Sequence, residues 1–377
     1  MSESWSEFLT KVENCCCPPG NGVYTVNTAK ERKEALHQAV YGQLDNIDEL
    51  WKESLKQLAD HSKTVILGIS SDCGGGILRG ANWGPLFLRN AIRQHHGEMP
   101  AFDMGDIRVI PHLLHDKYLN QPTIDNCRKA LYEDDHEETH KDKTQTFHVS
   151  PLSITEDIAR DFYEMFPDKG IFGIGGDHSI SYPLTKAYLQ AKKSHGIRTA
   201  IIHFDAHTDL MVERLGIDLC FGSWCTHILD DLHSPSDLIQ IGIRSSGQPK
   251  EHWEETFGVK QYWADEVKQA GADTTAKMIL EQLKSDGVDE LYVSFDIDAI
   301  DSSVASATGT PEPDGLFTED AMTILQLLAA EYPITGADMM EIAPFLNTSI
   351  DKPQGAEETL KAGAELSAFL IKEIAKD

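Results

Sequence analysis

Two short acidic motifs, far apart in the chain, hold side chains that could do chemistry together. The first is FDAHTD at residues 204–209 and the second is FDIDAID at residues 295–301. Each motif follows an apolar run that predicts a buried strand. Alternate residues of an extended chain point to the same side, so the ligand-type side chains of each motif can converge at a strand end. These side chains are Asp205, His207, Asp209, Asp296 and Asp298.

A third motif, GIGGDHS at residues 173–179, follows another predicted strand and adds the imidazole of His178. Taken alone, each motif has a simpler interpretation, because Asp and Thr favour capped turns and paired glycines mark strand-to-helix turns. The Asp-Ile-Asp pair could also belong to a solvated loop. Burying all these carboxylates without a cation would be prohibitively costly, however. The three motifs together therefore predict one metal site with six candidate ligands.

The three motifs resemble the signature blocks of the ureohydrolase family, which includes arginase, agmatinase, guanidinobutyrase, guanidine hydrolase and formiminoglutamase. Upstream, residues 68–85, which contain GGGILRGANWGP, resemble the first strand and the glycine-rich loop of that family. Downstream, GTPEPDGL at 309–316 and MEIAP at 340–344 match its late blocks. The resemblance runs from about Val65 to the C-terminus, in the order of the family.

The resemblance implies two divalent metal ions that share two bridging carboxylates, Asp205 and Asp296. The ligands of the first ion would be His178, Asp205, Asp209 and Asp296. The ligands of the second would be Asp205, His207, Asp296 and Asp298. Asp209 would also be catalytic, accepting the hydrogen bond of the attacking hydroxide. The nitrogen and oxygen ligands are of the type that manganese prefers, whereas nickel has the higher intrinsic affinity for such sites. Manganese and nickel are therefore both candidates.

The same resemblance assigns the substrate contacts. Glu341 aligns with the family carboxylate that pairs with a guanidinium, whose planar N–H fork matches a carboxylate. Its simpler interpretation is a charge at a helix start. Arginases and agmatinases carry a histidine where this chain has Phe221, and Trp224 follows closely. Two bulky apolar side chains would shorten the pocket, could not satisfy a charged tail, and would offer a cation–π surface.

We therefore expect a small cationic guanidino substrate, with free guanidine first, cleaved to urea and ammonia or an amine. Agmatine and 4-guanidinobutyrate are the alternatives, followed by formiminoglutamate and arginine. The proton donor to the leaving group is open, with His227 or a water as candidates. A competing, non-enzymatic interpretation is a silent regulatory subunit of an oligomer. Such a subunit would be expected to have lost metal ligands, and all six are present.

Composition fits this interpretation. A chain of 377 residues with 41% hydrophobic content can bury a large core, so we expect one catalytic domain at residues 61–377 and a helical N-terminal extension at 1–60. A formal net charge of -28 argues against nucleic acid as a partner. No apolar run has transmembrane length and the N-terminus lacks secretory features, which predicts a cytoplasmic protein without membrane contact. The family implies a homo-oligomer, a trimer or hexamer.

Three further stretches are predicted to be structural. Seven cysteines are expected to be reduced, with the run Cys15-Cys16-Cys17 explained by packing. The charged residues 133–143 are typical of a solvated loop rather than a second metal site. Residues 30–58 have the pattern of one helix.

The order of elements predicts an α/β fold with three layers, α/β/α, around a mainly parallel central sheet. Helices are expected from Ser153, where SITE has the form of a capping box, and over residues 355–375. Ligands should lie at the carboxyl ends of the strands, where open α/β sheets place their sites. Strands are expected at residues 65–69, 171–174, 199–204, 238–243, 291–295 and 334–339.

Overall fold

The computed structural model describes residues 3–25, 27–132, 147–346 and 355–376, so the predicted loop at 133–143 lies outside the described residues. The described strands form one nine-stranded sheet in the order β1-β3-β2-β4-β9-β8-β5-β6-β7. Every pairing in it is parallel except β1 with β3. The strands are β1 (Cys16–Cys17), β2 (Thr64–Gly68), β3 (Ala101–Ile107), β4 (Gly170–Ile174), β5 (Thr199–Phe204), β6 (Leu238–Ile241), β7 (Lys260–Tyr262), β8 (Glu290–Asp296) and β9 (Ile334–Met340).

Helices cover both faces of this sheet, as expected for a three-layer α/β/α fold. Neighbouring residues of β2 show the two faces, because Val65 and Leu67 join one buried apolar cluster and Ile66 joins the other. The predicted fold class is confirmed. The described α-helices are α1 (Glu3–Cys15), α2 (Lys30–Tyr41), α3 (Ile47–Leu55), α4 (Gly84–His96), α5 (Gln121–Tyr132), α6 (Pro151–Met165), α7 (Ser181–Ser194), α8 (Lys250–Phe257), α9 (Ala264–Ala270), α10 (Ala272–Asp286), α11 (Thr318–Glu331) and α12 (Gly355–Ile374).

The N-terminal segment differs from its prediction. The single helix expected over 30–58 is two helices, because α2 ends at Gly42, whose φ of 72° terminates the helix. The segment also contributes α1 and β1, and β1 pairs antiparallel with β3 at the sheet edge. The three adjacent cysteines are free and buried there, and burial raises the pKa of Cys15 to about 12. The boundary of the catalytic domain near residue 60 stays a prediction.

A buried ionic cluster attaches this segment to the sheet. The guanidinium of Arg89 on α4 bonds Asp103 of β3 at 2.8 and 2.9 Å and Asp106 at 2.5 Å. Asp106 in turn accepts hydrogen bonds from the backbone N–H groups of Gly20 and Gly22 at 2.9 and 3.1 Å. Buried charges are tolerated when they are paired and hydrogen-bonded in this way. The two acids also explain why β3 lacks the apolar pattern of a buried strand.

Helix α6 begins earlier than the sequence predicted. Its first residue is Pro151 rather than Ser153, so the capping-box interpretation is wrong. Proline suits the first turn of a helix because its missing N–H would have no partner there. Ser153 lies inside the helix, where its hydroxyl accepts a hydrogen bond from Asp116 N at 3.0 Å. The terminal helix α12 ends within one residue of its predicted boundary. Among the described helices, none is long and apolar enough to cross a membrane.

Candidate metal centre

Four neighbouring strands bring the predicted ligands to one edge of the sheet. Strands β4, β9, β8 and β5 lie side by side and run in the same direction. The motifs that contain His178, Asp205, Asp296 and Glu341 occupy their carboxyl ends. This is where ligands bind in open α/β sheets.

The first ligand cluster surrounds the imidazole of His178. Its Nδ1 lies 3.0 Å from Asp205 Oδ2, 3.2 Å from Asp209 Oδ2 and 3.1 Å from Asp296 Oδ2. This nitrogen is buried and makes no hydrogen bond, whereas Nε2 bonds the hydroxyl of Ser294 at 3.1 Å. A buried ring nitrogen that makes no hydrogen bond and faces three carboxylate oxygens fits a cation ligand.

The second ligand cluster is built around His207, which is 24% exposed. Its Nδ1 lies 3.3 Å from Asp205 Oδ1 and 3.2 Å from Asp298 Oδ2. Asp298 Oδ2 also accepts a hydrogen bond from the hydroxyl of Thr310 at 3.0 Å. Asp205 thus presents one oxygen to each cluster, which is the arrangement of a carboxylate that bridges two ions.

The electrostatics of these clusters show an excess of buried negative charge. Burial, followed by Asp298 and Asp205, raises the pKa of Asp296 well above its usual range. Burial and then Asp205 raise the pKa of Asp209. For Asp205 burial acts in the same direction, but its imidazole neighbours outweigh burial and lower its pKa. Two divalent cations would neutralise this charge, so the residues present fit a dinuclear metal centre.

Glu341 lies at the end of β9, not at a helix start. Its Oε1 accepts a hydrogen bond from the backbone N–H of His178 at 3.0 Å, and its own N–H donates to Gly176 O at 2.8 Å. Its φ is 62°, and Asp209 has a φ of 50°, a left-handed backbone that is uncommon outside glycine. Burial, and then Asp296, Asp177 and Asp72, raise the pKa of Glu341 well above its usual range.

Trp224 differs from the predicted substrate contact. The side chain is fully buried, with 0% exposure, and its indole N–H donates to Asp209 Oδ2 at 2.8 Å. Its ring packs against those of His178 and His203, with centroids 5.0 and 5.1 Å away. An indole in the interior needs an acceptor for its N–H, and Asp209 provides one. Trp224 therefore lies behind the predicted metal ligands and not on a pocket wall.

Phe221 is half-buried and lies against the glycine-rich loop. Its backbone N–H donates to Gly74 O at 2.9 Å, and a Cβ at Gly76 would meet its ring at 3.4 Å. The guanidinium carbon of Arg214 lies 5.1 Å from the ring centroid, so Arg214 already makes a cation–π contact with this ring.

His227, the candidate proton donor, packs against Tyr182, and its Nε2 bonds Asp218 O at 2.9 Å. Those contacts hold His227 outside both ligand clusters.

Sequence reasoning missed several residues around the site. Asp177 accepts hydrogen bonds from Gly74 N and Ser179 N, both at 3.0 Å, and so holds the glycine-rich loop. Burial and then Asp72 raise the pKa of Asp177 to about 7. His203 was also missed, although it lies 2.9 Å from Asp205. A histidine inside the otherwise apolar strand TAIIHF was a signal that could have identified it.

Removing metal is expected to destabilise the protein. A ligand that binds only the folded state stabilises it by about 2.7 kcal/mol per site at a concentration 100 times its Kd. Calorimetric unfolding of chelator-treated protein should therefore show a lower Tm than the same sample after manganese or nickel is restored. An identical Tm in both samples would contradict a metal site at these residues.

Comparison with known proteins found a matching family and several relatives. A sequence model of the Arginase family matches residues 62–371. The agmatinase of Bacillus anthracis is 31% identical over 315 residues, which cover 80% of this chain and 91% of that protein. The agmatinase of Chromobacterium violaceum is 36% identical over 177 residues, so there the match spans about half of each chain, 46% and 51%.

Solved structures show the same fold. Proclavaminate amidinohydrolase from Streptomyces clavuligerus has a TM-score of 0.61 at 24% identity, with 84% of this chain and 92% of that one covered. Arginase from Medicago truncatula has a TM-score of 0.61 at 21% identity, with 98% and 96% covered. The family match over residues 62–371 and the B. anthracis relative lead to one conclusion: this chain belongs to the Arginase family.

Proposed function

We propose that this protein hydrolyses the C–N bond of a small guanidino compound, with free guanidine as the preferred substrate, to give urea and ammonia. One observation carries the proposal: the carboxylate of Glu341 is buried at the end of β9, where the backbone N–H of His178 holds its Oε1 at 3.0 Å, and a buried carboxylate calls for a paired positive charge. A guanidinium supplies that positive charge together with a planar set of N–H donors.

In the proposed reaction, separate residues bind the metal ions, orient the substrate and hold the attacking water. Two divalent cations, held by the six predicted ligands, would lower the pKa of a bound water and so supply the nucleophile near neutral pH. Glu341, fixed by the backbone N–H of His178, accepts two N–H groups of the substrate and orients its carbon. Asp209, fixed by Trp224, accepts a hydrogen bond from the attacking water. The attacking oxygen loses one proton as the C–O bond forms and its second proton as the C–N bond breaks and the C=O bond of urea forms. Both protons end on the leaving nitrogen, so guanidinium and water give urea and ammonium.

The charges near Phe221 support a short substrate. A cavity of about 440 Å³ is lined by the glycine-rich loop, Phe221, Arg79 and Arg214. If the tail of a longer substrate extended into it, the ammonium of agmatine would meet two guanidinium groups and be repelled. The carboxylate of 4-guanidinobutyrate would be attracted instead, which makes it the second candidate.

The structure also supports the other two expectations from sequence. All six predicted ligands lie in the two clusters, which favours an enzyme over a silent regulatory subunit. Ile77, Val212 and Leu215 are 87%, 72% and 96% exposed, and large exposed apolar side chains are typical of surfaces that other chains cover. We therefore infer a homo-oligomer, a trimer or hexamer, which light scattering after size-exclusion chromatography would identify.

The test is urea release from guanidine, agmatine, 4-guanidinobutyrate and arginine by protein loaded separately with manganese and with nickel. Formamide release from formiminoglutamate completes the set. Turnover of guanidine well above that of the tailed compounds is the expected result, and the metal that supports it is the native candidate. Efficient turnover of agmatine or arginine would refute the short-pocket proposal while leaving the metal centre intact.

Replacing Phe221 by alanine is expected to change substrate preference. Losing a bulky ring opens the pocket, and one or a few methylene groups of extra contact change specificity by about 10-fold or more. The ratio of kcat/KM for 4-guanidinobutyrate to that for guanidine should rise accordingly. Arg214→Ala is the companion variant: it removes the charge that would attract the carboxylate but leaves the ring, so it should lower the ratio rather than raise it. A ratio unchanged in Phe221→Ala would show that this ring does not limit substrate length.

A further inference from the structure

A row of polar side chains crosses three neighbouring strands next to the metal ligands. His203 on β5 lies directly beside Gln240 on β6, and Gln240 lies directly beside Gln261 on β7. All three are buried among strands whose other residues are mostly apolar. Buried polar groups cost free energy unless they are hydrogen-bonded, so each member of such a row needs hydrogen-bond partners.

The row forms a continuous chain of hydrogen bonds that ends on a metal ligand. Trp263 Nε1 donates to Gln261 Oε1 at 2.8 Å, and Gln261 Nε2 donates to Gln240 Oε1 at 2.8 Å. Gln240 Nε2 then lies 2.9 Å from His203 Nδ1. His203 Nε2 lies 2.9 Å from Asp205 Oδ2, on the carboxylate that the two ligand clusters share.

The donor and acceptor roles along this series of hydrogen bonds are fixed by groups that can only donate or only accept. The indole of Trp263 can only donate, which fixes the amide of Gln261. Gln240 Nε2 also donates to the carbonyl of Thr208 at 2.6 Å, and a carbonyl can only accept, so its amide orientation is fixed as well. An amide N–H therefore faces His203 Nδ1, which must be the accepting nitrogen. The ring hydrogen is left on Nε2, facing Asp205.

We propose that His203, Gln240 and Gln261 are positioning residues of the metal centre, which hold the Nε2–H tautomer of His203 so that it donates to Asp205. The proposal rests on the metal-binding part of the proposed function. The hydrogen bond from His203 fixes the direction in which the Asp205 carboxylate faces the ions. Outer partners of this kind typically contribute 10- to 100-fold to metal affinity.

The first test is neutron diffraction from a deuterium-exchanged crystal of the full chain with manganese bound. Deuterium on His203 Nε2, with Nδ1 bare and the Gln240 amide nitrogen facing it, is the expected result. Deuterium on Nδ1, or a reversed Gln240 amide, would overturn the proposal. This measurement uses the unaltered protein, so it does not depend on whether a variant folds.

The second test measures the Kd of Mn²⁺ by titration calorimetry in Gln240→Met, which keeps the side-chain length but has no amide. The Kd should rise about 10- to 100-fold. Trp263→Phe, at the far end of the hydrogen-bonded row, should raise the Kd by a smaller factor. Gln282→Met on α10 is the matched control, because its amide donates to Ser236 O at 3.1 Å and lies outside the chain.

The results separate this proposal from the proposed reaction. A Kd for Gln240→Met within about twofold of wild type, or an equal weakening in Gln282→Met, would overturn the positioning role. Wild-type protein that binds Mn²⁺ but hydrolyses none of the guanidino compounds would refute the reaction alone, and the Kd series would still decide the role of the chain.

Discussion

Replacing Asp205 by alanine is expected to eliminate binding of both metal ions and to reduce urea release to the assay background. Each oxygen of this carboxylate faces a different ligand cluster, one around His178 and the other around His207. Loss of an outer partner alone costs about 10- to 100-fold in metal affinity, and loss of a shared ligand should exceed that at both sites. Metal content after dialysis and urea release measure the two effects on one sample.

The matched control is Asp161→Ala, an equal change on α6, where Asp161 pairs with Lys11 far from the site. It should retain two ions and full turnover. Asp205→Asn gives a second measurement that keeps the shape of the side chain if the alanine variant folds poorly. An Asp205 variant that is active without metal would refute the mechanism.

Replacing Glu341 by glutamine is expected to leave the metal ions bound and to cripple hydrolysis. The amide keeps an oxygen for the backbone N–H of His178 but loses the charge that pairs with a guanidinium. Hydrogen bonds to charged groups contribute up to about 3 kcal/mol, which corresponds to a fall of about 100-fold in kcat/KM. Steady-state kinetics with guanidine, alongside metal analysis, would measure it.

The matched control is Glu290→Gln, the same chemical change at the opposite edge of the sheet. Glu290 begins β8, the strand next to β9, and pairs with Lys192. The kcat/KM of this control should equal that of wild type. Unchanged kinetics in Glu341→Gln would remove its role in substrate binding, whereas loss of metal would show that Glu341 supports the ligands instead.

The predicted ligands lie close together in the structure because each is encoded locally. Asp205, His207 and Asp209 follow one strand, and alternation along an extended chain already places them together. The fold class followed from the same alternation of apolar strands and amphipathic helices. The errors in the N-terminal segment arose where the local signal was weak. Strand β1 has two residues, too few to show an alternating pattern, and a single glycine, Gly42, separates α2 from α3.

Residues that act across strands could not be predicted from one sequence. Gln240 and Ser294 flank His203 only because β6 and β8 lie on either side of β5. That order is set by packing of the whole sheet. Trp224 was misplaced for a related reason, since its indole finds its acceptor, Asp209, only when the loop after β5 turns inward.

The left-handed backbone at Asp209 and Glu341 has a consequence for attempts to engineer this protein. A side chain in that conformation costs about 1–2 kcal/mol that glycine would avoid. At Asp209 the loss of a predicted metal ligand would offset that gain, but selection for heat resistance alone would favour glycine at Glu341, whose carboxylate is needed for the proposed reaction and not for metal binding. A library ranked only by melting temperature would enrich stable, inactive variants, so each round of such a selection should also score urea release.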